Sequence, residues 1–272
     1  MEMYFCPLYS GSSGNVLFCQ YGSTRLLIDA GKSGRCVAEA LSSIGVDIET
    51  ISGVLITHEH SDHISGVGVL ARKWGLPVYA TSDTWWAMAD KVGKIPEGLR
   101  REIHAGEDFY LGDIGVEPFS IPHDAADPVG YRLYGGKLSI ATATDLGHFS
   151  RGVLDHIRGS DLVLLESNHD PDMLRANPRY NEALKRRILG DHGHLSNEAC
   201  SRALLQLIAD GTRQVILGHL SGENNTPALA RTVSVQALER EGIEPERDVF
   251  LRVALRDQVG AVYTLRAGQE LT

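Results

Sequence analysis

The chain has 272 residues, 43% of them hydrophobic and 22% charged, enough apolar surface for a sizeable core without disulfide or metal staples. Lysine and arginine total 26 against 35 acids, a net charge of -9, which excludes a basic nucleic-acid-coating protein and argues against an electrostatic binder of membrane surfaces. It does not exclude a nucleic-acid enzyme that grips phosphate locally.

Short strands are predicted first, over Tyr4 to Tyr9, Asn15 to Tyr21 and Arg25 to Ile28, followed by a helix over Arg35 to Ile44 and a buried strand Gly53 to Ile56. After a His-rich loop come a helix near Ile64 to Trp74, a strand at Pro77 to Ala80, and a helix Thr84 to Val92 with Gly93 as its stop. Asp108 to Ala143 is strand-rich, with Gly135-Gly136 as a hairpin turn. Another strand is expected at Val163 to Glu166. Helices Glu182 to Leu189, Asn197 to Ala209 and Pro227 to Glu241 then alternate with strands Gln214 to Leu217, Asp248 to Ala254 and Ala261 to Leu265. The last strands carry no chemistry-bearing residues and are expected to complete a sheet, in one domain spanning 1-272. Cys6, Cys19, Cys36 and Cys200 form no CxxC pair, so reduced thiols are expected. Without a basic n-region or a spanning apolar run, the expectation is a cytoplasmic protein with no membrane partner.

The strongest feature is His58-Glu59-His60-Ser61-Asp62-His63, directly after an apolar strand. Imidazole nitrogens suit Zn, Mn or Fe, and a carboxylate suits the harder of these ions. In an extended loop, positions 58 and 60 point the same way and can reach one ion. Asp62 and His63 lie where the chain turns into a helix and can face a second.

An HxHxDH run after a strand resembles the metallo-β-lactamase-fold hydrolases, and the likeness extends over most of the chain. The resemblance implies an α/β fold, a four-layered αβ/βα sandwich, with two divalent metal ions between the sheet edges. Through it, Asp29 in Leu27-Ile28-Asp29-Ala30-Gly31 supports the metal loop by hydrogen bonding. His123 completes the first metal site, Asp145 bridges the ions and His219 completes the second site. Each of these three, taken alone, also fits a turn that hydrogen-bonds locally; together they fill two coordination shells. The chemistry implied is hydrolysis by a metal-bridging hydroxide.

Three further segments narrow the substrate. Glu166, after a strand, and His194, before the helix that Ser196 would cap, resemble the proton-transfer pair of tRNase Z-like phosphodiesterases, so catalytic roles fall on Asp62, Glu166 and His194. Between them Arg175, Arg179, Lys185, Arg186 and Arg187 stand against Glu182 alone. A solvated helix face explains such a run, but its position also suits phosphate contact by Arg186 and Arg187. Ser10 to Asn15, Glu166 to Asp170, and Gly218 to Ser221 with Asn224-Asn225 resemble the YycJ/WalJ-type branch, which adds Ser221 and Asn224 as substrate-binding candidates. That branch implies a 5′-to-3′ exonuclease acting on DNA rather than RNA. The alternatives kept open are a glyoxalase II-like thioesterase or a small-molecule phosphodiesterase. Roles for His148, His169 and His192, and the oligomeric state, stay open.

Overall fold

The computed structural model describes residues 1–268. Its strands are β1 (Glu2–Tyr9), β2 (Val16–Tyr21), β3 (Thr24–Ile28), β4 (Gly53–Leu55), β5 (Val78–Ala80), β6 (Arg100–Glu102), β7 (Phe109–Leu111), β8 (Ile114–Ser120), β9 (Val129–Gly135), β10 (Leu138–Ala143), β11 (Leu162–Glu166), β12 (Gln214–Gly218), β13 (Phe250–Val253) and β14 (Tyr263–Arg266). The helices are α1 (Gly34–Ser43), α2 (Ser61–Ile64), α3 (Val67–Trp74), α4 (Ser82–Val92), α5 (Arg151–Ile157), α6 (Pro171–Ala176), α7 (Glu182–Leu189), α8 (Asn197–Ala209) and α9 (Pro227–Arg240).

The strands form two seven-stranded mixed sheets, in the orders β14-β1-β2-β3-β4-β5-β6 and β13-β12-β11-β10-β9-β8-β7. Side chains alternate across each strand, so in β2 Leu17 and Cys19 enter the core between the sheets. Val16 and Phe18 point the other way, into a core shared with α1, α3 and α4. In β11, Leu162 and Leu164 likewise face the first sheet, while Val163 and Leu165 pack under α5, α8 and α9. Both strands are therefore buried on two faces, which is why they read as unbroken apolar runs. Three apolar cores between four layers make the αβ/βα sandwich of the metallo-β-lactamase fold.

The expected helix at Ile64 to Trp74 is α3, which begins only at Val67; the short α2 precedes it and ends at Ile64, and between them Gly66, the N-cap residue of α3, donates its N–H to Ala30 O at 2.7 Å. A Cβ at Gly66 would strike the Lys32 carbonyl oxygen, so the break brings the metal loop down onto the 30–32 backbone. The last two strands complete different sheets: β13 runs parallel to β12, whereas β14 returns to the first sheet and pairs antiparallel with β1. The helices α5 and α6 and the strand β6 are additions to the sequence reading. Among the described residues no helix is long and apolar enough to cross a membrane, and all four cysteines are free thiols.

Candidate metal centre

The candidate residues follow strand ends on one edge of the sandwich. Asp29 follows β3, the His58 to His63 loop follows β4, His123 follows β8, Asp145 follows β10 and His219 follows β12. Three of them, Asp29 (φ 60°), Asp145 (φ 60°) and His219 (φ 54°), have left-handed backbones. Side-chain-bearing residues adopt that region at a cost, and such residues collect at functional sites. The two sheets are stitched directly beneath: Tyr131 Oη donates to Ile56 O at 2.6 Å, and Val129 N donates to Thr57 O at 3.0 Å.

Two groups of donors meet there. His58 Nε2 and His123 Nε2 lie 3.1 and 3.2 Å from His60 Nδ1. Tetrahedral coordination with metal–nitrogen bonds of about 2.0–2.1 Å puts ligand atoms ~3.3–3.4 Å apart, so this triangle needs to open by only a few tenths of an ångström. The second group is Asp62, His63 and His219, with Asp62 Oδ2 3.5 Å from both His63 Nε2 and His219 Nε2. Asp145 lies between the groups, Oδ2 at 3.4 Å from His63 Nε2 and Oδ1 at 3.7 Å from His123 Nε2.

Backing hydrogen bonds choose the tautomers. His63 Nδ1 donates to Asp29 Oδ2 at 2.7 Å, which leaves Nε2 facing Asp62 and Asp145. Thr57 binds the same aspartate through its N–H (2.8 Å) and its hydroxyl (2.9 Å), and the hydroxyl lies 3.0 Å from His58 Nδ1. Asp29 therefore supports the loop from behind. His123 Nδ1 donates to Gly193 O at 3.1 Å and His219 Nδ1 to Glu166 Oε1 at 3.0 Å, so both turn Nε2 inward.

The electrostatics fit a cation. Asp29, Asp145 and Glu166 are at most 2% exposed, and Asp62 stands beside them. Burial and the neighbouring histidines hold His58 well below the ordinary imidazole value, so it is neutral and able to ligate. Burial opposes charge on His63 and His219, but Asp145 and the other surrounding carboxylates outweigh it, lifting His63 well up and His219 to about 10. Asp145 Oδ2 and His219 Nε2 are buried without a hydrogen-bond partner, as expected of atoms that await a cation. The donor set of imidazole and carboxylate suits divalent metals.

Glu166 is fully buried at the end of β11 and accepts four hydrogen bonds: His194 Nδ1 (2.7 Å), His219 Nδ1 (3.0 Å), Leu146 N (2.7 Å) and Leu195 N (3.0 Å). Burial opposes its ionisation, yet His194 and His219 hold its carboxyl below the usual range. The His194 ring lies 5.2 Å from that of His123 and 5.3 Å from that of His219, so it sits over both donor groups.

The remaining candidates fall outside this cluster. Arg187 makes a bidentate pair with Asp124, the neighbour of His123, with Nη2 donating at 3.0 Å, and so braces the His123 loop. Arg179 pairs with Glu223 at 2.7 Å, Arg175 with Asp172 at 3.0 Å and Lys185 with Glu182 at 3.2 Å. Arg186 is exposed and, among the described residues, in no ion pair. Ser221 Oγ accepts from the N–H groups of Glu223 (3.3 Å) and Asn224 (3.2 Å), and buried Asn224 accepts from Asn177 Nδ2 at 2.7 Å; both side chains are engaged in loop structure. His148 and His192 are exposed. His169 is 1% exposed, its ring nitrogens have no partner, and burial pushes it down to about 4. The sequence reading assigned no separate role to Asn15, whose Nδ2 is 3.0 Å from His63 Nε2 and whose N–H donates to Asp62 O at 2.8 Å. Its only sequence signal was its place at the end of the Ser10 to Asn15 run.

The fold and these two donor groups define a metal-dependent hydrolase, and the chain belongs to the beta-lactamase superfamily, whose domain profile matches residues 24–220. Among individual proteins, it is 43% identical over 242 residues to a Bacillus anthracis protein named exodeoxyribonuclease YycJ, covering 89% of this chain and 91% of that one. It is 41% identical over 233 residues to the Streptococcus pneumoniae protein named exodeoxyribonuclease WalJ, covering 85% and 86%. The metallo-β-lactamase fold protein YhfI from Bacillus subtilis superposes with a TM-score of 0.72 at 17% identity, over 96% of this chain and 99% of that one, a likeness of fold.

Proposed function

We propose that the chain is a dinuclear-metal phosphodiesterase acting on nucleic acid, a 5′-to-3′ exonuclease with DNA as substrate, folded as one domain. The observation that carries this reading is the Glu166–His194 pair. With Nδ1 bonded to the Glu166 carboxylate, the His194 ring lies over both donor groups, and its side chain is 20% exposed, enough to meet a substrate. A carboxylate-backed imidazole at that place delivers a proton to a departing oxygen, the step that limits cleavage of an alkyl phosphodiester. The naming of the YycJ and WalJ relatives as exodeoxyribonucleases supports the choice of DNA.

His58, His60 and His123 in one group, and Asp62, His63 and His219 in the other, would hold the Zn or Mn ions, which would neutralise phosphate charge and acidify a water for attack near neutral pH. The protein's own work is positioning. Asp145 holds the two donor groups in register, Asp29 and Thr57 keep the His58 and His63 rings aimed inward, and Glu166 fixes both His194 and His219.

The test is incubation of 5′- and 3′-end-labelled single-stranded and duplex DNA with Mn, Zn or Mg, comparing wild type with Asp145→Ala. Stepwise shortening from the 5′ end is expected. It should be lost in the variant while the circular dichroism spectrum is kept. A wild type that spares DNA and RNA but cleaves S-lactoylglutathione or bis-p-nitrophenyl phosphate would overturn the nuclease reading.

A further inference from the structure

The arginine-rich run beside His194 is mostly consumed by internal ion pairs, so an acidic protein needs another grip on a polyanion. One lies in the connection between β13 and β14. Because β13 runs parallel to β12, it ends on the edge of the sheet from which His219 projects. Ala254 N donates to Leu217 O at 2.8 Å and Ser10 N to Leu255 O at 3.2 Å, which pins the start of this connection beside the site. Arg256 and Asp257 follow. Asp257 accepts from Arg256 Nε (2.7 Å), Lys32 Nζ (3.2 Å) and Ser13 Oγ (2.7 Å).

Two glycines make room for Arg256, and a third lies against Lys32. A Cβ at Gly11 would meet the Arg256 stem, with Cδ 2.9 Å away, and one at Gly222 would meet its guanidinium, with Cζ at 2.8 Å. Neither glycine has a left-handed φ, so space rather than backbone conformation is what glycine provides there. Gly14 has a positive φ of 146°, and a Cβ there would meet the Gly31 carbonyl oxygen at 2.6 Å as well as Lys32 Cδ at 2.7 Å and Cε at 2.8 Å. These glycines belong to the loops that carry the site. Gly11 bridges to Leu220, the neighbour of His219, and Gly14 precedes Asn15, which touches His63. The charged ends stay accessible, with side chains 20% exposed for Lys32, 41% for Arg256 and 48% for Asp257. Two cations against one carboxylate leave a net positive spot, and a guanidinium fork matches phosphate oxygens.

We propose that Arg256 and Lys32 form a phosphate subsite, which holds the nucleic-acid strand at a phosphate neighbouring the scissile one, and that Asp257 occupies the two cations until that phosphate replaces it. The inference rests on the phosphodiesterase reading above and adds the residues that hold the strand. A purely structural latch would use the same three side chains, and the sign of one substitution separates the two.

The experiment measures kcat/KM for an oligonucleotide and for bis-p-nitrophenyl phosphate, which has no neighbouring phosphate, in wild type, Arg256→Ala, Lys32→Ala and Asp257→Asn. It adds the salt dependence of binding to a phosphorothioate oligonucleotide. A subsite predicts that the oligonucleotide-to-small-substrate ratio falls about tenfold in R256A and K32A, as for loss of a charge-assisted hydrogen bond. The slope of log affinity against log salt should become shallower by about 0.7 for each lost contact with a single strand. In D257N, which removes the competitor, the ratio should rise. An unchanged ratio and slope in R256A, or a D257N that loses oligonucleotide activity as R256A does, would overturn the proposal. A wild type that turns over bis-p-nitrophenyl phosphate but no oligonucleotide would instead sink the nuclease reading itself.

Discussion

Replacing Glu166 with glutamine keeps the side chain's volume and shape but turns one of its two acceptor oxygens into a donor. The carboxylate receives two backbone N–H groups, from Leu146 and Leu195, and two ring nitrogens, from His194 and His219. The backbone donors cannot change, so the amide oxygen must face them and the NH2 must face the rings. Each imidazole can accept from that NH2 only by moving its proton to Nε2. For His219 this removes the lone pair from the atom that looks toward Asp62, and for His194 it removes the carboxylate acceptor of its Nδ1–H. Two charge-assisted hydrogen bonds are lost, about 1.5–3 kcal/mol each. Metal affinity should fall ~10–100-fold, the usual effect of disturbing a ligand's backing partner. At saturating metal, kcat should still fall by about 10³–10⁴, the scale of a wrong tautomer in a histidine–carboxylate pair. The assay is a metal titration of activity with kcat read at the plateau, beside a metal-content measurement. An E166Q enzyme with wild-type kcat and metal affinity would refute the tautomer argument.

Three further outcomes are expected. His194→Ala should keep bound metal and lose about 10²- to 10⁴-fold in kcat; loss of metal instead would make His194 a ligand, as read by metal content after gel filtration. His169 has a native pKa of about 4, below that of the unfolded chain, so between pH 6.5 and 4 the unfolded state binds the proton and stability falls as pH falls, by up to about 3 kcal/mol. Denaturant melts at pH 7.5 and 5 should show a shallower acid loss in His169→Gln, and equal slopes would contradict this. Gly31→Ala should lower both Tm and metal affinity, because its Cβ would fall on the Asp62 carbonyl and press on Asn15 N at 2.6 Å. Overpacking of this kind costs about 1–3 kcal/mol, several degrees of Tm for a chain of this size, and an unchanged melt would refute it.

The site was legible to the extent that it is local. His58, His60, Asp62 and His63 share one loop, and their spacing alone announces a metal. His123, Asp145 and His219 lie up to 161 residues beyond His58, and only family resemblance could gather them, since no local pattern separates them from turn residues. The left-handed backbones at Asp29, Asp145 and His219 had only a faint signal, because aspartate and histidine adopt positive φ more often than other side chains but far less often than glycine. Most strands and long helices were readable because they are buried on both faces or carry one clear apolar stripe. β6, Arg-Arg-Glu and fully exposed, has no apolar pattern to read. α5 is seven residues with a glycine at its second position, too short to show a period, although Ser150 caps it as an N-cap should. α6 carried its Asp170 cap and a proline in its first turn, but six residues give no face. The return of β14 to β1 pairs Glu2 with Arg266, a long-range choice that hydrophobic alternation leaves open.

Each donor group is shared between the sheets. His58 and His60 extend from the first sheet and His123 from the second; Asp62 and His63 come from the first and His219 from the second. A cation bound by either group is therefore a clamp across the sandwich, and its affinity is linked to the docking of the sheets on each other. By mass action, free metal at a thousand times its dissociation constant adds about 4 kcal/mol to the folded state. Chelation then loosens the seam between the halves as well as silencing the chemistry. A break in the connection between β6 and β7 would leave each piece with an incomplete ligand set, so metal retention reports on the docking of the two pieces.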